Sequence, residues 1–146
     1  MQFSSRLPIA VHTLLVIEHF KGQYKITSDF IAGSVGVNPV IIRNILGQLK
    51  SADLVDVAAG IGGATLTKSP EEITLLDVFR AVETDEELFH FHEHPNPDCL
   101  IGKNINGILG SRLEEIKKTA ELQLKAINLQ SLLDSLPKQE NQSLGE

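Results

Sequence analysis

Cysteine is nearly absent from this chain, with Cys99 the only one in 146 residues. A single thiol cannot close an internal disulfide or build an all-cysteine metal centre within one chain, and such sparing use suits a reducing compartment. No apolar run reaches membrane-spanning length, and the opening Met1-Gln2-Phe3-Ser4-Ser5-Arg6 lacks the long apolar core of a signal peptide. The expectation is a cytoplasmic protein with no membrane partner. No nucleophile–base pair, paired carboxylates or cofactor loop stands at catalytic spacing, so neither an enzyme nor a bound cofactor is expected. Positive charge is also scarce, 13 Lys and Arg against 19 Asp and Glu, for a formal net charge of −6.

The distribution of that charge says more than its sum. Residues 1–70 hold six basic side chains (Arg6, Lys21, Lys25, Arg43, Lys50, Lys68) against four acidic ones (Glu18, Asp29, Asp53, Asp56), a net of +2. Residues 71–146 hold the other 7 basic and 15 acidic residues, a net of −8. A chain that touches nucleic acid would do so through its first half, with weak nonspecific affinity and reliance on a limited number of base contacts.

That half contains the most specific pattern. Thr27 or Ser28 can cap a short helix carrying Phe30, Ile31, Ala32 and Val35 inward, and Gly36 can adopt the left-handed conformation that ends it. Asn38 then offers a side-chain acceptor and Pro39 a preset φ for the start of a second helix. Along this helix Val37, Ile42, Ile45, Leu46 and Leu49 recur at helical spacing as a buried stripe, leaving Val40, Arg43, Asn44 and Gly47 on another face. The arrangement is a helix-turn-helix. Arg43 suits guanine, Asn44 adenine, Val40 a thymine methyl and Lys50 a phosphate in a DNA major groove; the plain alternative is that Arg43 and Asn44 solvate an exposed face.

Next comes an alternating Leu54-Val55-Asp56-Val57, a glycine-rich tip at Gly60, Gly62 and Gly63, and a returning Ala64-Thr65-Leu66-Thr67, which read as a wing-like hairpin. The glycines let backbone approach a partner closely. A nucleotide-binding loop is excluded because no Gly-Lys-Ser/Thr follows and the loop joins two strands. An opening helix of about Leu7 to Phe20 should close the core. Ser69-Pro70-Glu71-Glu72 predicts a further helix, capped by Ser69 and running to about Val82.

From about Leu100 to Ser131 no proline interrupts, and Ile105, Leu109, Leu113, Ile116, Ala120, Leu124 and Ile127 form a continuous helical stripe. About 30 residues would make a rod near 45 Å, longer than a small domain covers, so part of the stripe calls for a second copy of the chain. Folding back onto its own domain is the alternative. The reading is therefore mainly α with a small β-hairpin: a winged helix-turn-helix over 1–83, a sensor loop over 84–99, a dimerisation helix over 100–134 and a disordered tail over 135–146.

The loop before the long helix offers two further candidates. Cys99 sits at the helix N-terminus, where the field favours thiolate, and is either a redox-responsive sensor or an inert loop residue. His90, His92 and His94, with Cys99 nearby, are metal-ligand types; they would share a face on a strand but scatter around a helix, and solvated loop histidines are the alternative.

Taken together, Asn38-Pro39-Val40-Ile41-Ile42-Arg43, Leu49-Lys50, Leu54-Val55, the Gly60, Gly62-Gly63 tip, Leu66, Ser69 to Leu75 and the Pro95-Asn96-Pro97 loop before Cys99 resemble the Rrf-two family of bacterial winged-helix transcription regulators, and its YwnA-like branch most. The resemblance covers residues 1 to about 132. It implies a dimer joined by the long helix that binds double-stranded DNA at a roughly palindromic operator and represses transcription until a signal arrives. Carried onto matching positions, it implies DNA contacts by Ser28, Asn38, Pro39, Val40, Arg43, Asn44 and the wing from Gly60 to Gly63. Ala59 stands where family wings often carry a basic residue, and Ala64 where they carry a third glycine. Cluster-binding members use three cysteines in the loop where this chain has Cys99 alone, so no iron–sulfur cluster of that kind is expected. A winged helix serving only as a protein-interaction module is the competing function, favoured by the low basic content.

Overall fold

The computed structural model describes residues 4–58, 63–85 and 89–138. Helix α1 (Arg6–His19) lies behind α2 (Ser28–Val35) and α3 (Pro39–Ser51), and the strands β1 (Val55–Val57) and β2 (Ala64–Leu66) follow. Helix α4 (Leu75–Val82) then leads to the long α5 (Leu100–Ala126) and the short α6 (Leu129–Asp134). This is the expected mainly helical fold with one antiparallel hairpin.

The helix-turn-helix forms for the reasons its residues suggest. Thr27 Oγ1 accepts from the backbone N–H of Phe30 at 3.1 Å, so the cap is Thr27 and Ser28 is the first helical residue. Gly36 ends α2 at φ +79°, and its N–H donates to Ala32 O at 2.8 Å while the N–H of Val37 reaches the same carbonyl at 3.3 Å. The chain turns through 111° between α2 and α3. Asn38 Oδ1 then accepts from Val40 N at 2.9 Å, with Pro39 at the first helical position.

One core unites the domain. Leu14 and Ile17 of α1, Ile31 of α2 and Ile42, Ile45 and Leu49 of α3 are almost completely buried in it. The hairpin pairs Val55 with Leu66, Asp56 with Thr65 and Val57 with Ala64. It is fastened to the loop before α2 by the Ala64 N–H, which donates to Ile26 O at 2.9 Å.

Two expectations are corrected. Helix α4 begins at Leu75, six residues after Ser69. Thr74 caps it through a reciprocal box in which Asp77 N donates to Thr74 Oγ1 at 3.2 Å and Thr74 N to Asp77 Oδ2 at 3.0 Å. Ser69-Pro70-Glu71-Glu72 closes a turn instead, the Glu72 N–H donating to Ser69 O at 2.9 Å. Ile73, directly after this turn, is fully buried, and the backbone at Thr74 is extended.

The long helix does not run unbroken to Ser131 either; it stops at Ala126. Ile127 O accepts from Leu75 N and Ile73 O from Leu129 N, both at 2.9 Å, so the chain leaves the helix to bridge the strand-like segment at Thr74. Asn128 caps α6, accepting from Ser131 N at 2.9 Å, and Leu129 is fully buried. Among the described residues no single helix is long and apolar enough to cross a membrane.

Replacing Thr74 with Ala should lower unfolding free energy by about 1 kcal/mol in urea titrations. Ser69→Ala should change it by no more than about 0.5 kcal/mol, since Ser69 caps nothing.

Candidate nucleic-acid interface

Burial of one face of α3 dictates what the other presents. With Ile42, Ile45, Leu46 and Leu49 turned into the core, Val40, Arg43, Asn44 and Gly47 fall on an exposed strip at intervals of three and four residues. Val40 is 52% exposed, and neither Arg43 nor Asn44 has a hydrogen-bond or ion-pair partner among the described residues. Both side chains are thus available to a ligand without breaking an internal contact. Lys50 is exposed in the last turn, and α3 contains no acidic residue to offset Arg43 and Lys50.

The remaining predicted contacts are placed less uniformly. Ser28 and Pro39 are half buried at the starts of their helices. Asn38 is exposed, but its carboxamide oxygen is engaged as the α3 cap, which leaves mainly its amide free to donate outward. In the wing, Gly63 precedes β2, and the Ala58 N–H donates to Gly63 O at 3.2 Å. Gly60 and Gly62 lie outside the described residues.

Some of the surroundings carry no local sequence signal. Ile41, 41% exposed, adds apolar surface next to Val40. A recess along the flank of α3 is lined by Arg6, Arg43, Asn44, Gln48 and Ser51, bringing the first turn of α1 beside the recognition strip. Nothing in local sequence pattern pairs Arg6 with a helix that starts 33 residues later.

Cys99 is the N-cap residue of α5 and is exposed. The backbone N–H groups of Gly102 and Ile101 hold its pKa below the ordinary thiol value, and burial opposes them only weakly. The thiol closes no side-chain capping hydrogen bond, and the two N–H groups that favour its charged form belong to the first turn of α5. Gly102 is required here, because a Cβ would collide with the carbonyl oxygen of Asn96 in the preceding loop. That loop is set by Asn96, whose Oδ1 accepts from Asp98 N at 3.0 Å.

The histidines do not converge. His90 Nε2 lies 2.9 Å from Asp85 Oδ2, His92 and His94 are exposed, and among the described residues no three His, Cys, Asp or Glu side chains are placed to hold a metal ion. Phe91 packs over Gly110 of α5, bringing this part of the loop against the long helix.

A family model described as Rrf2, an iron-dependent transcriptional regulator, matches residues 3–135. The chain belongs to the Rrf2 family. YwnA of Bacillus subtilis (strain 168), which bears the name of an HTH-type transcriptional regulator, is 41% identical over 133 residues, covering 91% of this chain and 98% of YwnA. The fold is similar to that of CymR, the global cysteine regulator of B. subtilis, with a TM-score of 0.69 at 19% identity over 94% of this chain and 99% of CymR. It is equally similar to T. potens IscR, with a TM-score of 0.69 at 20% identity over 95% of this chain and 94% of IscR. As an Rrf2 protein the chain is a DNA-binding transcription regulator and not an enzyme. The iron in the family description finds no fitting donor set, since Cys99 is the sole thiol and is not joined by two further ligand side chains among the described residues.

The alkylation rate of Cys99 with iodoacetamide, followed against pH, should rise with a midpoint below that of a free cysteine. In urea, where the helix start is lost, the midpoint should move up to the ordinary thiol value.

Proposed function

We propose that this Rrf2 regulator is a cytoplasmic homodimer that inserts α3 into the major groove of a palindromic operator and represses transcription, with Cys99 as its thiol sensor. The observation that carries the reading is the exposed strip of α3. Its Arg43 and Asn44 have no internal partner among the described residues, stand four and five residues beyond a firmly capped helix start, and are of the types that read guanine and adenine. Ser28 and Asn38 would contact the backbone from two helix N-termini, Pro39 and Val40 would lie closest to the bases, and Lys50 and the Gly60–Gly63 wing would follow the phosphates.

Dimerisation is supported by α5. None of its 27 residues is buried within the chain, and Leu100, Ile101 and Ile108 are 79%, 68% and 63% exposed. Apolar surface on this scale suits a partner helix, and two copies would present two recognition helices to successive turns of one DNA face. The sensing role of Cys99 is supported by its exposure, its lowered pKa and its position at the start of that same helix. Oxidation to a sulfenic acid or a disulfide would add bulk or a covalent tie where α5 meets its loop.

Arg43→Ala should reduce affinity for the cognate operator by about 10- to 100-fold in fluorescence anisotropy, the loss associated with one bidentate base contact. Its effect on random-sequence duplex should be far smaller. Equal losses on both duplexes would reduce Arg43 to a phosphate contact, and no loss on either would favour the protein-interaction reading.

A further inference from the structure

The first turn of α1 is tied to the recognition helix by contacts that the apolar core does not require. Half-buried Arg6 donates from Nε to the carbonyl of Val82 at 3.1 Å and from Nη2 to Oε1 of Gln48. Gln48 Nε2 reaches the same Val82 carbonyl at 3.4 Å, closing a three-cornered network. Ser4 Oγ adds a hydrogen bond of 2.7 Å to Glu83 Oε1 alongside. Three helices meet here: the start of α1, the later turns of α3 and the last residue of α4.

The chemistry suits a cation. Val82 O belongs to the C-terminal end of α4, where carbonyls lack helical partners and carry the negative end of the dipole. A guanidinium with its planar fork can hold this carbonyl and the Gln48 carboxamide together, which an ammonium would do poorly. Gln48 stands one helical turn beyond Asn44 and next to Gly47, on the flank of the exposed strip. Arg6 and Gln48 also line one recess with Arg43 and Asn44.

We infer that Arg6 is a positioning residue for DNA recognition: by gripping Gln48 and the end of α4 it fixes the roll of α3 about its own axis, and with it the aim of Arg43 and Asn44. The inference rests on the groove reading above. Apolar contact beneath α3 is non-directional, so it resists removal of the helix from the core more than small rotations upon it. Hydrogen bonds are directional, and one anchored to two other helices supplies the missing constraint.

The test compares full-length wild type, Arg6→Met, Gln48→Met and the double variant on an operator recovered by selecting wild-type-bound duplexes from a random pool, and on random-sequence duplex, over a range of salt concentrations, with thermal melting of each free protein. Each single variant should bind the operator about tenfold more weakly, the double should be no worse than either, and random-duplex affinity and salt slope should stay at wild-type values. Gln48→Met, at a half-buried surface position, keeps the test informative if Arg6→Met melts early. A parallel loss on both duplexes with a salt slope reduced by about one would make Arg6 a phosphate contact and overturn the inference. Additive losses, or unchanged operator binding, would also overturn it. If wild type itself prefers no duplex, the groove reading fails and the positioning role falls with it; if wild type and variants discriminate equally well, only the positioning role is lost.

Discussion

The burial of one face of α3 is the constraint on which the rest depends. Ile42, Ile45 and Leu49 are sealed against α1 and α2, and each such side chain contributes about 1.5–3 kcal/mol when removed from water. A helix held this way cannot turn its apolar stripe outward without losing most of that stabilisation. Its polar strip is therefore presented to solvent as a consequence of folding, and Val40, Arg43 and Asn44 are offered together on a rigid support. The caps at Thr27 and Asn38 and the left-handed turn at Gly36 set where the two helices begin and how steeply they cross.

The same logic, run in reverse, explains α5. Its apolar residues recur at helical spacing, yet this chain alone buries none of them, whereas α6 directly after it buries Leu129 completely. The chain breaks between the two helices because the backbone of residues 127–129 pairs with that of residues 73–75. The break anchors the far end of α5 to the domain, with Ile105, Leu113 and Leu124 half buried and Leu109 and Ile116 of the stripe left exposed. Cys99 stands at the opposite end of α5 as its N-cap residue, so under the proposed sensing role chemistry at the thiol would act on the helix that the proposed dimer shares.

What the sequence made legible was whatever local pattern encodes. Apart from Val37, which precedes the Asn38 cap and is only half buried, the stripe of α3, the Asn38-Pro39 start, the Gly36 turn and the hairpin appear where spacing and turn chemistry place them, because each depends on residues within a few positions of one another. The start of α4 is ambiguous in sequence because Ser69-Pro70 and Thr74-Asp77 are both adequate helix starts, and only the burial of Ile73 chooses between them. The end of α5 is hidden in sequence for a related reason. Ile127 continues the apolar stripe, and the interruption comes from backbone pairing with a segment about 50 residues earlier. The Arg6–Gln48–Val82 network is likewise invisible in sequence, since its members are brought together only by the finished fold.

The central claim is that α3, carried by a twin subunit, reads base pairs in a major groove. Selection of bound duplexes from a random pool tests it most directly. The account predicts recovery of an inverted repeat whose half-sites lie about 34 Å apart, one helical turn. Recovery of no enriched sequence, or of a single unrepeated site, would contradict it.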